Sequence, residues 1–138
     1  NLQEKAKDKK VKLQINNPKT RVVNVTADKA KIDQILTNLL VNSINYGKEG
    51  GTTKIDLTTH SPLINVEVKD NGIGIEGKHL PRLFERFYRV DKSRSRHIGG
   101  TGLGLAIVKH IIDAHHQTVS VTSAIDKGSS FTFTLEKA

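Results

Sequence analysis

The chain of 138 residues has no cysteine, no methionine and no tryptophan, and its only aromatic residues are two tyrosines and four phenylalanines. The lack of cysteine excludes disulfides, thiol catalysis and cysteine-ligated metal sites, and it fits a reducing compartment. No apolar run is long enough to span a bilayer, and the first residues lack the pattern of a secretory signal peptide. The remaining composition is that of one domain, long enough to bury a hydrophobic core.

Charge is unbalanced, since 22 Lys and Arg against 14 Asp and Glu give a formal net charge of +8. The two basic clusters lie at residues 5–12 and 82–96. A nucleic-acid interface would need this charge on one face, with interleaved aromatic residues, and these are scarce. We therefore expect no nucleic-acid partner. Phosphate binding explains the arginines of the second cluster at least as well: Arg86, Arg89, Arg94 and Arg96.

Half-buried strands are predicted wherever apolar and polar residues alternate. Five segments show this alternation: residues 11–15, 55–59, 64–69, 119–121 and 131–135. Residues 21–25, after a turn at Asn17-Pro18, are predicted as a further short strand. A turn at residues 60–62 predicts a hairpin between the second and third of the five segments, and Asp126-Lys127-Gly128 turns the chain before the last. Residues 1–10 are polar and charged, and we predict that they form the end of a preceding helix or a linker.

Helical spacing of apolar residues predicts two longer helices and one short one. The first follows a cap at Asp28 and ends at Tyr46-Gly47; its apolar stripe comprises Ile32, Ile35, Leu36, Leu39, Leu40 and Ile44. The second covers residues 101–115, with Leu103, Ala106, Ile107, Ile111 and Ala114 inward. The short one covers residues 80–87, with Leu83, Phe84 and Phe87 inward. Helices over one face of a sheet make an α+β fold.

Two polar motifs have the chemistry of a nucleotide site. Asn38 and Asn42 lie one helical turn apart, and their amide oxygens suit a hard cation that keeps waters and phosphate oxygens. Asp70 leads out of an apolar strand into Gly72 and Gly74, and its carboxylate could accept a hydrogen bond from the exocyclic amine of adenine. Each motif alone also has a structural explanation, as a solvated helix face or as an ordinary turn.

A third motif, residues 99–104, is a glycine-dense turn that leads directly into the second long helix. Glycines let the backbone approach a bulky anion, and the free amides of a helix start then point at it. Residues 88–100 are basic and have little to bury, which is typical of a functional or mobile loop. No Ser-His-Asp order, His-Glu-x-x-His motif or P-loop is present, which argues against hydrolase and zinc sites. The three motifs together predict a nucleotide site.

In this order the motifs resemble the catalytic, ATP-binding domain of bacterial sensor histidine kinases of two-component systems. The segments that resemble the N box, the first G box, the F box and the second and third G boxes are residues 38–46, 70–75, 84–89, 100–105 and 128–131. The resemblance implies the Bergerat ATP-binding fold, shared with gyrase, the ninety-kilodalton heat-shock chaperone and mismatch-repair ATPases. This fold is a two-layer α/β sandwich, with a mixed, mostly antiparallel sheet of about five strands and about three helices on one face. It would occupy residues 11–138.

ATP and Mg²⁺ are the cofactors that the resemblance implies. Asn42 would hold Mg²⁺ with Asn38 beside it, and Arg89 would contact the phosphates; these three are the implied catalytic residues. Asp70 would accept the adenine amine, and Tyr46 would line the pocket. The other implied nucleotide contacts are Asn45, Gly72, Gly74, Ile75, Phe87, Gly100, Thr101, Gly102, Leu103, Gly104, Leu105 and Ser130. Residues 88–99 would form a lid over ATP, ordered by the nucleotide.

Three positions depart from the family pattern. Asn45 stands where a lysine or arginine usually follows the metal asparagine, which puts one phosphate contact in doubt. Asp126 replaces the first glycine of the third G box. His116-Gln117 replaces the paired glycine that often follows the last helix.

The phosphoacceptor histidine of the family precedes an acidic residue in a separate helical dimerisation domain. None of the six histidines here precedes an acidic residue. The resemblance therefore implies that the γ-phosphoryl passes to a histidine on that other domain of a homodimeric parent, and then to the receiver domain of a response regulator. It also implies a cytoplasmic location, attached to the inner membrane only through the parent protein.

Three other functions remain open. A gyrase- or chaperone-type ATPase would carry a glutamate four residues before the metal asparagine as the general base for water, and Asn38 stands there. An anti-sigma serine kinase tends to carry the same glutamate and would lack the box at residues 84–89. The non-enzymatic alternative is a binding module, either a degenerate kinase domain that only docks partners or a basic nucleic-acid binder.

Overall fold

The structure is a computed structural model that describes residues 12–16, for the backbone alone, and residues 24–88, 90 and 103–138. The described strands are β1 (Lys12–Asn16), β2 (Val25–Thr26), β3 (Thr52–His60), β4 (Leu63–Asp70), β5 (Val119–Ala124) and β6 (Gly128–Lys137). The described helices are α1 (Lys29–Tyr46), a 3₁₀ helix (Gly77–Arg82) and α2 (Gly104–Ala114).

All six described strands form one mixed sheet. Strands β1, β3, β4 and β6 are adjacent in that order. On the side of β6 away from β4, β5 pairs with its first part and β2 with its last residues. The β1–β3 pair is parallel, whereas the other pairs are antiparallel. The predicted hairpin between β3 and β4 is confirmed, and so is the mixed, mostly antiparallel sheet. Of the strand predicted at residues 21–25, residues 21–23 lie outside the described residues, and β2 itself pairs only two residues.

The hydrophobic core lies between one face of the sheet and the helices. Strand alternation turns the apolar residues of β4 and β6 to this face, and they meet apolar residues of both α-helices and of the 3₁₀ segment. The buried residues of this cluster include Ile64, Val66, Val68, Phe131, Phe133, Leu135, Ile35, Leu39, Val108, Ile112 and Leu83. The opposite face of β4 carries Asn65, Glu67 and Lys69. This arrangement confirms the two-layer α+β sandwich with helices on one face.

Helix α1 begins and ends where the sequence predicts. The Asp28 side chain accepts a hydrogen bond from the backbone N–H of Lys31 at 3.2 Å, which satisfies one of the unpaired amides of the first turn. At the other end, the Gly47 N–H donates to the Ile44 carbonyl at 3.3 Å. The predicted cap and the predicted end of the helix are both confirmed.

The second long helix differs from the prediction in its inward face. Its described part, α2, buries Val108, Ile111 and Ile112, whereas Ala114 is exposed. The prediction of Ala114 as a core residue is wrong because the buried stripe is rotated about the helix axis toward Val108 and Ile112. Thr101 and Gly102, the start of the predicted helix, lie outside the described residues.

The short helix predicted over residues 80–87 is also wrong. The chain instead forms a 3₁₀ helix that contains Pro81 and then continues as turns. Leu83 is buried and Phe84 is half-buried, as predicted, and Phe84 contacts Phe131 edge-on. Phe87 has a left-handed backbone (φ 65°), and its side chain is 66% exposed. The left-handed residue interrupts helical geometry and places the ring outside the core.

Candidate nucleotide site

At one end of the sheet, the core face changes from apolar to polar. Thr53, Asp70, Ser129 and Ser123 are register partners across β3, β4, β6 and β5, and we call these four residues the polar row. Each lies two residues along its strand from an apolar residue, so alternation places all four on the helix side of the sheet. Thr53, Asp70 and Ser129 are buried, and Ser123 is half-buried.

Asp70 is the charged member of the polar row and is only 6% exposed. Its Oδ1 accepts the backbone N–H groups of Gly72 at 2.9 Å and of Ser129 at 3.3 Å. Its Oδ2 accepts the hydroxyl of Ser43 at 3.4 Å. Burial raises the pKa of the Asp70 carboxyl above its ordinary value, and the three hydrogen bonds act in the opposite direction. A buried acceptor is therefore held in a fixed orientation, as recognition of a donor such as the adenine amine requires.

Helix α1 supports Asp70 from the side. The Ser43 hydroxyl lies 2.8 Å from that of Thr53, and both side chains are buried. This contact joins the helix to the end of β3 directly beside the carboxylate. The Ser43–Thr53 pair thus gives the buried acid a polar wall in place of an apolar one, which lessens the cost of its burial.

Residues 71–75, which we call the Asp70 loop, are held between α1 and the turn that joins β5 to β6. On the helix side, the Ile73 N–H donates to the Tyr46 carbonyl at 3.3 Å. On the turn side, the Ile73 carbonyl accepts the Asp126 N–H at 2.9 Å, and the Ile75 N–H donates to the Ser123 hydroxyl at 2.8 Å.

Two glycines of the Asp70 loop are required by close approach of backbone. A Cβ at Gly72 would lie 2.4 Å from the Tyr46 carbonyl oxygen. Gly74 has φ +76°, and a Cβ there would lie 2.0 Å from the Ala124 carbonyl oxygen. The space beside Gly74 is therefore filled by the β5–β6 hairpin. The predicted contact of Gly74 with the purine base stays a prediction.

The predicted metal and pocket residues of α1 lie on its half-buried side: Asn38, Asn42, Asn45 and Tyr46. The Asn38 amide nitrogen donates to the Gly104 carbonyl at 3.3 Å, so α1 is joined to the start of α2. The described residues hold no group of three or more His, Asp or Glu side chains that could bind a metal ion. Amide oxygens from α1, completed by phosphate oxygens and water, are a donor set that fits Mg²⁺.

The predicted phosphate contacts are only partly described. Leu103, Gly104 and Leu105 stand at the first turn of α2, where backbone N–H groups lack partners within the helix. A Cβ at Gly104 would meet no atom within 4 Å. Ile75 is a buried member of the core. The predicted contacts that lie outside the described residues are Arg89, Gly100, Thr101 and Gly102, and most of the predicted lid at residues 88–99 lies there too.

One predicted nucleotide contact, Ser130, has its side chain on the face of the sheet opposite Asp70, and its contact with nucleotide stays a prediction. The Ser130 hydroxyl donates to Glu67 Oε2 at 2.6 Å, on the face opposite Asp70. The serine beside Asp70 is Ser129, because register pairs these two residues and successive side chains alternate. Phe87 was expected to point inward and is exposed instead; its contact with nucleotide stays a prediction.

Sequence reasoning missed four residues of the site: Ser43, Thr53, Ser123 and Ser129. A signal for the three strand residues was present. Each is two positions from an inward apolar residue, Ile55, Val121 and Phe131 respectively. Small hydroxyl residues in strands are common on solvated faces, and only the register shows that these three lie in one row with Asp70.

Comparison with known proteins gives a consistent family. Residues 27–138 match the family model for histidine kinase-, DNA gyrase B-, and HSP90-like ATPases. Sensor histidine kinase WalK of Bacillus subtilis is 46% identical over 123 residues, which cover 88% of this chain and 20% of WalK. More generally, the chain spans about a quarter of the length of the curated relatives that it matches.

Solved structures agree. The mycobacterial sensor histidine kinase MprB superposes with a TM-score of 0.82 at 25% identity, covering 99% of this chain and 90% of that one. Histidine kinase ThkA, in its complex with the response regulator protein TrrA, gives a TM-score of 0.78 at 25% identity, covering 99% of this chain and 37% of that one. None of the described helices is long and apolar enough to cross a membrane. The chain belongs to the histidine kinase-, gyrase B- and HSP90-like ATPase family, as an ATP-binding catalytic domain of the sensor histidine kinase type.

Proposed function

We propose that the domain binds Mg-ATP where the polar row, the Asp70 loop, α1 and the start of α2 meet. We further propose that it supplies the γ-phosphoryl to a histidine of a helical dimerisation domain in the parent homodimer. The observation that carries the nucleotide site is Asp70, a buried carboxylate with one oxygen bound by two backbone amides. Its other oxygen accepts the Ser43 hydroxyl at 3.4 Å, and because a carboxylate oxygen has two lone pairs it has the capacity to accept the adenine amine as well.

The metal would sit on the asparagine side of the site. Asn42 would bind Mg²⁺ through its amide oxygen, with Asn38 directed at the metal or at its water. Mg²⁺ supplies neutralisation of phosphate charge. The amide nitrogen of Asn38, already bound to the Gly104 carbonyl, would hold its oxygen in place beside the amides of the α2 first turn. Tyr46, Asn45, Leu103 and Leu105 would line the remainder of the site.

Phosphoryl transfer is favoured over hydrolysis by the chemistry of position 38. A hydrolase of this family needs a carboxylate there to deprotonate water, whereas an amide cannot accept that proton. The Asn38 side chain also donates a hydrogen bond to the Gly104 carbonyl, and this bond helps to hold α1 against α2. A domain of this kind positions and neutralises the triphosphate, and the nucleophile comes from another domain.

The partners follow from the relatives. The similarity to ThkA, solved in complex with a response regulator protein, supports a response regulator as the onward phosphoryl acceptor. The resemblance to sensor kinases supports a cytoplasmic site of action within a membrane-anchored parent. Both remain proposals for this chain, because its relatives are about four times longer.

Two measurements test the proposal. The first is calorimetric titration of the 138-residue chain with ATP and Mg²⁺, where Asp70→Asn should abolish measurable binding and the exposed control Asp33→Asn should not alter it. The second joins the chain to a histidine kinase dimerisation domain and follows radiolabelled phosphate from γ-labelled ATP, which should reach a histidine of that domain. Wild-type protein that fails to bind ATP, or label released only as free phosphate, contradicts the proposal.

A further inference from the structure

Ser123 has the most hydrogen-bond contacts of any described side chain in the polar row apart from Asp70, although it belongs to none of the family boxes. Its hydroxyl accepts the Ile75 N–H at 2.8 Å and donates to the Gly128 carbonyl at 2.9 Å. It also lies 2.8 Å from the Ser129 hydroxyl. These bonds connect the Asp70 loop to the β5–β6 hairpin, whose Ser123 lies 48 residues beyond Ile75 in the chain.

Proton positions in this cluster follow from the number of available hydrogens. The Ser123 hydroxyl has one hydrogen, and it uses this hydrogen to donate to the Gly128 carbonyl. The Ser129 hydroxyl must therefore be the donor in its hydrogen bond with Ser123. Ser123 then accepts two hydrogen bonds and donates one. An apolar side chain of the same size would leave the Ile75 N–H and the Gly128 carbonyl without these partners.

Both segments that Ser123 joins approach Asp70 closely. A Cβ at Gly128, which has φ +108°, would lie 2.0 Å from the Asp70 carbonyl oxygen, so β6 packs directly against the end of β4. The Asp70 loop starts at that same end of β4, and its Gly72 N–H binds the Asp70 carboxylate. Movement of either segment would therefore change the surroundings of the carboxylate.

We infer that Ser123 is a positioning residue for the nucleotide site, whose hydroxyl fixes the Asp70 loop against the β5–β6 hairpin and so pre-orients the purine-binding end. The inference rests on the proposed nucleotide site. A loop that is already ordered costs less to immobilise when ligand binds. Loss of the hydroxyl should therefore weaken nucleotide binding even though Ser123 itself need not touch the nucleotide.

The test compares two side chains of the same shape, Ser123→Thr and Ser123→Val, in the 138-residue chain. Dissociation constants for Mg-ATP and for adenosine are measured by calorimetry well below the Tm of each variant. Thr keeps the hydroxyl, and both constants should stay within about threefold of wild type. Val lacks it, and both should rise about tenfold, the effect of one lost hydrogen bond to a buried backbone group. The matched control is Ser120→Val, an exposed position on the same strand, which should change neither constant.

Dissociation constants measured below the Tm separate a positioning role from a merely structural one, and adenosine shows whether the effect lies at the purine end. A structural role alone would lower the Tm of Ser123→Val and leave both dissociation constants unchanged below it, which would overturn the inference. Equal factors for ATP and adenosine are expected because the Asp70 loop lies at the purine end; a loss confined to ATP would also overturn it. If Val prevents folding, Ser123→Ala replaces it, and failure of Ala to fold would assign Ser123 a structural role instead.

Failure of this inference and failure of the proposed function have different signatures. If wild-type protein does not bind ATP, or if Asp70→Asn binds it as wild type does, the nucleotide site itself is wrong. If Asp70→Asn loses binding while Ser123→Val binds like wild type, the site stands and Ser123 does not position it.

Discussion

Asp70 is a buried carboxylate whose ionisation bears on the stability of this domain and which we propose as the acceptor of the adenine amine. Transfer of Asp70 out of water disfavours its charged form, and the surrounding amides and hydroxyl only partly compensate. The fold therefore keeps a group that weakens it, as binding sites commonly do. In return, the end of the sheet has a hydrogen-bond acceptor, the Asp70 carboxylate, whose orientation is fixed by its own hydrogen bonds.

The first prediction concerns Asp70→Asn and pH. Because the pKa of Asp70 is raised in the folded state, its ionisation opposes folding, and stability is lost as pH rises through that pKa. Asp70→Asn should thus have a higher free energy of unfolding than wild type at neutral pH, although it loses ATP binding. The difference should shrink as the pH falls through the raised pKa, where Asp70 becomes protonated.

Urea denaturation at neutral and acid pH measures this difference, with the exposed Asp33→Asn as the control. A variant less stable than wild type at neutral pH would show that the hydrogen bonds outweigh the burial. Affinity for ATP in the wild type should fall over the same pH range, because a protonated carboxyl accepts poorly from an amine.

The second prediction uses two glycines three residues apart. Gly74→Ala would force a methyl group onto the Ala124 carbonyl and a left-handed backbone onto alanine. We expect it to lower the free energy of unfolding by at least about 2 kcal/mol. Gly77→Ala meets no atom within 4 Å and should be close to neutral. Chemical denaturation of both variants checks this, and similar losses would contradict the packing of the Asp70 loop on the β5–β6 hairpin.

Among the elements, α1 is joined to both ends of α2. At one end Asn38 binds the Gly104 carbonyl. At the other, the Asp28 N–H donates to His115 Nε2 at 3.2 Å, and His115 Nδ1 lies 2.9 Å from the Ile111 carbonyl. Since Nε2 accepts, Nδ1 must carry the proton and donate. The polar side of α1 is thereby held in register with the first turn of α2, where phosphates are proposed to bind.

The third prediction concerns the end of α2, where the family often has paired glycines. His116 has φ 56° and its N–H donates to the Asp113 carbonyl at 2.9 Å, the position that glycine favours after a helix. His116→Gly should raise the free energy of unfolding by about 0.5–1 kcal/mol, because glycine adopts this conformation without strain. His110→Gly, at an exposed position inside the same helix, should lower it by about 1 kcal/mol. Thermal or urea unfolding measures the free energy of unfolding of both variants. Changes of the same sign would contradict the proposal that His116 is strained in a position that favours glycine.

Local signals predicted the elements to different degrees. The cap at Asp28 and the end of α1 at Gly47 were predicted correctly because both depend on neighbours within one helical turn. The segment before Phe87 was predicted as a helix because its apolar spacing fits one, but Pro81 and a left-handed residue prevent it. Such backbone conformations at non-glycine residues have no strong signature in sequence.

For the molecule as a whole, metal and nucleotide should act together. The proposed metal ligands on α1 are neutral amides that phosphate oxygens would complete, so a chelator should not change the Tm of the nucleotide-free domain. ATP at 100 times its dissociation constant should raise the free energy of unfolding by about 2.7 kcal/mol, and the chelator should reduce this gain.

Asn42→Ala is the fourth prediction and should reduce the same gain in the presence of Mg²⁺ while leaving the nucleotide-free Tm nearly unchanged. Asn65→Ala, on the polar outer face of β4, is the matched control and should have no effect on either. Thermal shifts with ATP, with and without Mg²⁺, provide the measurement. If ATP with Mg²⁺ stabilises Asn42→Ala as much as wild type, Asn42 does not bind the metal.

The sequence by itself determined most of the strands, the first long helix with its cap and end, the family boxes and the candidacy of Asp70, because period, capping and glycine turns are properties of adjacent residues. Only the tertiary structure decided that Ser129 rather than Ser130 faces Asp70, and that Ser123 holds a loop 48 residues away. Those contacts depend on the register between strands that are far apart in the chain. Turn geometry fixes register within a hairpin, but between β4 and β6 the register is set by how the apolar faces of these strands pack in the core.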